Sequence, residues 1–283
     1  MSTSVAAPEM ELTDIDGIEM EVHDSGSGEP VVFIHTIRDE WYAVLDEPVL
    51  ADEYRLVHYH RRGFGNSTST GVPLSIPEHA ADCRAVMEHL DIDRAHVVAL
   101  SGAGTIQLQL ALDSPEVVHT LAVLEPLLPD VWASSDSAEE WEEVLGTAMP
   151  LLEAGEISEG VDTVFQYLGG PNYREASDQN LPPGWFDRVV EDWEKALQHD
   201  FVAMNSWEFA REDAARIKAP VLNLKAAKST PGHQEIHRQV QAWIPHAESA
   251  VIPDTAHFMP ETNPGGTAEA LAEFFAKHPM GTR

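Results

Sequence analysis

The stretch VVALSGAGTI, residues 97–106, places a serine where a buried strand must turn into a helix. A serine hydroxyl becomes a nucleophile when a base takes its proton and hydrogen-bond donors hold the oxyanion that forms. A tight strand-to-helix turn exposes the hydroxyl, provided that the positions two before and two after it are small. Here those positions are Ala99 and Ala103. Ser101 is therefore the candidate nucleophile, and the alternative is that it only caps the helix.

Apolar runs along the rest of the chain predict strands that alternate with helices. The strands are predicted at 18–23, 31–35, 55–60, 95–100, 118–126, 220–224 and 249–253. Helices are predicted at about 76–90, 103–112, 232–243 and 265–277. This alternation is typical of an α/β fold with a mostly parallel sheet flanked by helices. Ligands of such sheets bind at the carboxyl ends of the strands.

The alternation stops between the strands at 118–126 and 220–224, where helical patterns follow one another. We therefore expect an inserted helical cap at 126–219 and a core formed by 1–125 and 220–283. Ser137 and Glu140 have the spacing of a capping box at the start of one cap helix, which Pro150 is expected to end.

Composition narrows the class of partner. The 283 residues include 48 acidic and 17 basic side chains, a net charge of −31, which repels nucleic acid and anionic membranes. The acidic residues are spread along the chain, as in proteins that work at high salt, and a halophilic source stays open. No apolar run approaches the ~20 residues that span a bilayer, and the first residues do not resemble a secretory signal. We expect a cytoplasmic protein that binds a small-molecule substrate, with no nucleic acid and no membrane as partners; a homodimer stays open.

Cys83 is the single cysteine, which excludes an internal disulfide and a multi-cysteine metal site. We interpret it as a small buried group on a helix, the alternative being a nucleophile. His233 and His237 lie four residues apart on a predicted helix, but no third zinc ligand accompanies them. We therefore expect no metal and no cofactor.

The segments VVFIH, RRGFGNS, VVALSGAG, PVLNL and DTAHF follow one another in an order and spacing that resemble α/β-hydrolase fold proteins over nearly the whole chain. The familiar G-x-S-x-G glycines are both alanine here. The resemblance implies that His257, in DTAHFMPETNP, is the catalytic base. It also implies that His35 shapes the loop after its strand. His58 and His60 are placed on the next strand, where His60 replaces an aspartate often seen in the family.

The acid of the catalytic triad departs from the commonest family pattern. Many members place it after the strand represented here by PVLNL, but this chain has KAAKST there, and neither Lys228 nor Ser229 can act as a carboxylate. Some members, including haloalkane dehalogenases and zearalenone lactonases, place the acid after the preceding strand, which nominates Glu125. Two alternatives stay open: Glu125 could only cap the first segment of the insertion, or Asp254 could orient His257.

The resemblance also implies an oxyanion hole formed by the N–H groups of Gly102 and Ile37, although Thr36 replaces a glycine beside Ile37. Arg38 is expected either to bind a substrate carboxylate or to form a surface ion pair. Trp207 and Phe258 are expected at the substrate site, and the alternative for Trp207 is packing between cap and core.

A serine nucleophile argues against haloalkane dehalogenase and epoxide hydrolase chemistry, because both require an aspartate. The expected function is hydrolysis of a carboxylic ester or lactone of a small, largely apolar substrate through a Ser-His-Glu triad and an acyl-enzyme. Two alternatives are a carbon–carbon bond hydrolase acting on a 1,5-diketone-type substrate and a ligand-binding protein without hydrolytic activity.

Overall fold

The computed structural model of the protein describes residues 6–134 and 138–281. In these residues one sheet is formed by β1 (Glu11–Ile15), β2 (Ile18–Gly26), β3 (Glu29–Ile34), β4 (Tyr54–Tyr59), β5 (Ala95–Leu100), β6 (Val118–Leu124), β7 (Val221–Ala226) and β8 (Glu248–Ile252). Its strand order is β1-β2-β4-β3-β5-β6-β7-β8. The strands β1 and β2 are antiparallel to their neighbours, and the others are parallel. The predicted α/β class is confirmed.

The helices in the described residues are α1 (Tyr42–Leu45), α2 (Pro48–Ala51), α3 (Ile76–His89), α4 (Ala103–Asp113), α5 (Pro129–Ala133), α6 (Ala138–Glu153), α7 (Ile157–Gly169), α8 (Tyr173–Asn180), α9 (Trp185–Lys195), α10 (Phe201–Asn205), α11 (Arg211–Ala214), α12 (Pro231–Trp243), α13 (Met259–Thr262) and α14 (Pro264–Lys277). Helices α3, α4 and α12 cover one face of the sheet, and helices α1, α2 and α14 cover the other. A π-helical turn, Ala196–Asp200, joins α9 to α10.

The strand β5 shows why the sheet must be covered twice. All six of its residues are buried. Because side chains alternate across a strand, Val97 and Ala99 join the apolar cluster that α3, α4 and α12 cover, whereas Val98 and Leu100 join the one that α1, α2 and α14 cover. Burial on both faces explains the unbroken apolar run.

Between β6 and β7 the described part of the chain contains helices α5 to α11. Phe165, Trp185 and Trp193 of these helices pack into an apolar cluster of their own, which Phe258 joins from outside the segment. The division into core and cap domains stays a prediction, and Ser137 lies outside the described residues.

Several predicted boundaries differ from the structure. Pro150 does not end its helix but lies inside α6, which packs against α7. This packing outweighs the hydrogen bond that proline removes. The strand β1 was missed, β6 ends at Leu124, and His60 follows β4 instead of lying on it. No helix in the described residues is long and apolar enough to cross a membrane.

Candidate active site

Ser101 occupies a strained turn between β5 and α4. Its φ is 52°, a left-handed conformation that costs a non-glycine residue about 1–2 kcal/mol. Its N–H donates to Leu124 O at 2.9 Å, and its carbonyl accepts from the N–H groups of Gly104 and Leu127, each at 2.9 Å. The backbone of β6 and the segment after it thus hold the turn. Strain maintained in this way is typical of a serine presented for reaction.

Small neighbours are required at this turn. Ala99 and Ala103 are both buried. A Cβ on Gly104 would lie 2.7 Å from Pro126 Cβ, and a Cβ on Gly102 would collide with Met204 Sδ. Met204, on α10, therefore lies directly against the residue that follows Ser101.

Glu125 follows β6 in a second strained turn, with φ of 43°. Its backbone N–H donates to Leu224 O at 3.1 Å, and its side chain is 0 % exposed. One carboxylate oxygen, Oε2, lies 2.7 Å from His257 Nδ1. The other, Oε1, accepts from the Ala226 N–H at 2.9 Å and from the Ser229 hydroxyl. Glu125 is thus fixed by contacts on both oxygens and oriented toward His257.

Ser229 is a contact that the sequence did not reveal. The segment KAAKST lacks the acid expected after β7, yet its serine donates to the carboxylate that comes from β6. The alternative acid, Asp254, has a side chain that is 96 % exposed and lies 4.0 Å from Lys228 Nζ. The structure therefore brings Glu125, and not Asp254, to His257.

His257 lies in the loop after β8 and is 1 % exposed. Its backbone N–H donates to Leu168 O at 3.2 Å, and this hydrogen bond links the loop to α7. Burial lowers the pKa of the imidazole to about 3, and the charge of Arg38 acts in the same direction. The ring is therefore neutral at neutral pH and able to accept a proton. Donation from Nδ1 to Glu125 leaves Nε2 free for that role.

The backbone of Ser101 is tied to both sides of Glu125, through Leu124 and Leu127. Its hydroxyl makes no hydrogen bond to any other residue in the described part of the chain. The proton transfer from Ser101 to His257 stays a prediction, because hydrogen bonds at catalytic sites often form only with substrate bound.

The loop that carries Ile37 is shaped by a glutamate. Thr36 donates from its N–H to Glu40 Oε1 at 2.7 Å, and its hydroxyl lies 3.1 Å from Glu40 Oε2. Burial raises the pKa of Glu40 to about 8. Because Thr36 has no positive φ, a glycine is not needed there. Ile37 is half-buried against the helical cluster around Phe165, and its role as an oxyanion donor stays a prediction.

His35 and Arg61 connect this loop to the helices. His35 Nε2 accepts from the Arg61 N–H at 2.9 Å, and Arg61 Nε donates to His35 O at 3.0 Å. The guanidinium also pairs with Asp200, Nη2 to Oδ2 at 2.6 Å, in the π-helical turn. Both side chains are buried. This pair was not predicted, since no local pattern joins residues 139 positions apart.

Arg38 forms an ion pair, but a buried one. Its Nε lies 2.6 Å from Glu261 Oε1, and the two side chains are 5 % and 0 % exposed. The expectation of a surface pair was wrong, because α13 brings Glu261 beneath the loop. The guanidinium also lies 3.9 Å from the centre of the Phe258 ring.

The two aromatic candidates lie in different places. Phe258 is fully buried and follows His257 directly. Trp207 donates from Nε1 to Gln109 Oε1 on α4 at 2.8 Å and stacks on Phe209. Trp207 thus packs the segment after α10 against α4, and its contact with substrate stays a prediction. Cys83 is buried, and burial raises the pKa of its thiol to about 12, which disfavours a thiolate.

Two groups of side chains bring three metal-ligating atoms within 4.8 Å of one another: Glu125 with His233 and His257, and Asp39 with His58 and His60. The rings of His233 and His257 are stacked, 4.0 Å apart at 19°. Ring-nitrogen lone pairs lie in the ring plane, so those of stacked rings do not converge on one ion. His237 contacts Ser249 instead, at 3.0 Å.

The second group lies beside a cavity of about 370 Å³. Its His60 is held by Glu21 at Nδ1 (2.8 Å) and by Tyr42 and Asp39 at Nε2 (3.1 and 3.2 Å), so a metal would have to displace Tyr42. The cavity is lined by Ile37, Arg38 and residues of α9, and it reaches the predicted oxyanion loop.

Residues 31–270 match the family model described as "Alpha/beta hydrolase family". The chain belongs to this family. The match includes the Ser101 turn, Glu125 and His257, so the site described above lies inside the matched residues.

Relatives and solved structures agree with this assignment. The dihydrolipoyllysine-residue acetyltransferase component of the acetoin cleaving system of Cupriavidus necator is 33 % identical over 126 residues, covering 43 % of this chain and 33 % of that protein. The matched part of the chain spans between a third and a half of the length of the first curated relatives.

Solved structures share the fold over nearly the whole chain. A thermophilic esterase from Thermogutta terrifontis has a TM-score of 0.71 at 22 % identity, covering 95 % of this chain and 98 % of that one. Est816, described as an N-acyl homoserine lactone degrading enzyme, has a TM-score of 0.66 at 23 % identity, covering 93 % and 99 %. At these identities the two structures show the fold.

Proposed function

We propose that the protein hydrolyses a carboxylic ester or a lactone through Ser101, His257 and Glu125. The observation that carries the proposal is the 2.7 Å contact between His257 Nδ1 and Glu125 Oε2, fully buried beside the strained Ser101 turn. A neutral imidazole oriented by a carboxylate is the base that a serine nucleophile requires.

The reaction follows from these groups. Ser101 Oγ attacks the substrate carbonyl while His257 Nε2 takes the hydroxyl proton. The oxyanion accepts hydrogen bonds from the N–H groups of Gly102 and Ile37. Collapse breaks the C–O bond, and the leaving alcohol takes the proton from His257. A water molecule then gives a proton to His257 and attacks the acyl-enzyme. The bond between the acyl carbon and Ser101 Oγ breaks, Ser101 Oγ takes the proton back from His257, and the acid is released.

Glu125 stabilises the imidazolium formed in both steps and keeps Nε2 free to accept the proton. Its two further donors, Ala226 N–H and the Ser229 hydroxyl, hold it in one orientation. The apolar surroundings, which include Phe258 and Phe165, favour a substrate with a largely apolar acyl group. The fold neighbours with esterase and lactone-degrading activity make both bond types reasonable first substrates.

A fluorophosphonate probe tests the nucleophile. We expect stoichiometric labelling at Ser101, located by peptide mass spectrometry, and none in Ser101→Ala. Unmodified Ser101 in folded protein would contradict the proposal and favour a binding protein.

A substrate panel then tests the reaction. We expect turnover of p-nitrophenyl esters or of lactones, and loss of that turnover in Ser101→Ala. Turnover of vinylogous 1,5-diketones alone, with esters and lactones inert, would instead indicate carbon–carbon bond hydrolysis.

A further inference from the structure

His233, on α12, is a second histidine at the Glu125–His257 pair. Its ring stacks on that of His257 with centroids 4.0 Å apart and planes at 19°. Its Nδ1 lies 3.9 Å from Glu125 Oε2, the oxygen that contacts His257. Both histidines are buried. The face of the His257 ring is therefore covered by another ring rather than by water.

We propose that His233 is a positioning residue: its ring fixes the orientation of the His257 imidazole and shields the Glu125–His257 hydrogen bond from water. This inference rests on the proposed function, in which His257 is the base.

The ring of His233 is itself held firmly. Thr230 caps α12, and its Oγ1 lies 2.8 Å from His233 Nδ1. The Trp132 ring packs edge-on against His233, with centroids 4.7 Å apart at 74°. Gly232 lets Trp132 approach, since a Cβ there would lie 2.9 Å from the indole. A ring fixed from two sides can hold the imidazole on its free face.

The charge states of His233 and His257 are consistent with His233 as a positioning residue. Burial lowers the pKa of His233 to about 3, and the neighbouring His257 adds to that effect. His233 therefore stays neutral and does not compete with His257 as a cation for Glu125. A neutral aromatic face stacked on His257 also favours the imidazolium that forms during catalysis. These contacts act on kcat rather than on substrate binding.

Two complementary variants separate the stacked face from the hydrogen bond. His233→Phe keeps a flat ring and loses the contact with Thr230, whereas His233→Asn keeps a polar partner for Thr230 and loses the face. We expect His233→Phe to keep kcat within about threefold and His233→Asn to lose roughly tenfold, with KM nearly unchanged in both. His237→Asn, one turn further along α12, is the matched control, because the His237 ring contacts Ser249 and not Glu125, and it should behave like the wild type.

The opposite ranking, with Asn active and Phe impaired, would assign His233 to the cap of α12 and overturn the proposal. A wild-type kcat in both variants would overturn it too. An equal loss of kcat in both variants, together with a lowered melting temperature, would also overturn it, because His233 would then be only a structural residue.

Histidine NMR gives a readout that needs no activity. In the wild type we expect nuclear Overhauser contacts between the ring protons of His233 and His257, and a slowly exchanging His257 Nδ1–H. That proton should persist in His233→Phe and broaden through exchange with water in His233→Asn. Absence of the ring contacts in the wild type would overturn the stack even if neither variant folds. If Ser101 does not react with the fluorophosphonate while these signals are present, the proposed function fails and the stack stands.

Discussion

His257 and His60 are both buried and both contact carboxylates, yet their pKa values shift in opposite directions. His257 has one partner, Glu125, and burial lowers its pKa to about 3. His60 lies between Glu21 and Asp39. Burial alone would lower its pKa too, but hydrogen bonds and charges from Asp39 and Glu21 outweigh that effect and raise it.

The difference comes from solvent and from the number of carboxylates. The carboxylates beside His60 are partly open to solvent, with side chains 11 % and 22 % exposed, while Glu125 is 0 % exposed. Two carboxylates favour the charged form of the His60 ring, and their contacts with it make this group a structural tie. A single buried carboxylate with a neutral ring instead leaves a base that can gain and lose a proton in each turnover.

A Glu→Gln substitution beside each histidine should therefore affect kcat and the stability of the fold differently. Glu125→Gln places an amide N–H against His257 Nδ1, so Nδ1 becomes a hydrogen-bond acceptor. The ring proton then lies on Nε2, and the ring cannot take the Ser101 proton. We expect kcat to fall about 10³–10⁴-fold with little change in the melting temperature. Steady-state hydrolysis and thermal unfolding measure the two quantities. Full activity in this variant would move the acid role to another residue.

Glu21→Gln should leave kcat nearly unchanged and lower the free energy of unfolding by about 1–3 kcal/mol, because Glu21 also accepts from Asn66. The raised pKa of His60 stabilises the folded state below the unfolded pKa of about 6.5, and that stability is lost as pH rises through the folded pKa. The penalty of the variant should accordingly be larger at pH 6 than at pH 9 in urea titrations. A pH-independent penalty would show that His60 is not charged in the folded protein.

The three candidate catalytic residues were predicted from two kinds of sequence signal. Ser101 was identified by small residues at the end of an apolar run, a local pattern that the strand β5 and its turn impose directly. Glu125 and His257 followed from the order of segments along the chain. All three depend on strand ends, whose positions a parallel sheet fixes.

Ser229, His233 and the Arg61–Asp200 pair were missed as site contacts for a common reason. Each depends on how a helix or loop is rotated over the sheet, and no spacing within the sequence encodes that rotation. Ser229, for example, contacts a carboxylate 104 positions away. The capping pattern of Thr230 indicates only where α12 begins, and not that it turns His233 toward His257.

Ser229→Ala should lower kcat by less than Glu125→Gln does and by more than Glu21→Gln does. The variant removes one of the donors that hold Glu125 but leaves Ala226 N–H in place. We expect kcat to fall roughly tenfold, equivalent to about 1.4 kcal/mol in the transition state. The control is Ser249→Ala, because the Ser249 hydroxyl contacts His237 and not Glu125. Equal kinetics for both variants would show that Ser229 does not orient the acid.

The smallest expected effect concerns the pH profile. The acidic limb of kcat/KM reports the base of the free enzyme, and the pKa of His257 is lowered, so activity should persist below pH 6.5 and fall only at more acidic pH. Glu21→Gln should give a profile that superimposes on the wild type, since Glu21 acts on His60 and not on His257. The assay measures initial rates from pH 4.5 to 8, over the range in which circular dichroism shows the protein folded. A limb at or above the ordinary histidine pKa would mean that water reaches His257. The contrast between a shielded base and a histidine whose charged form is favoured by two carboxylates would then fail.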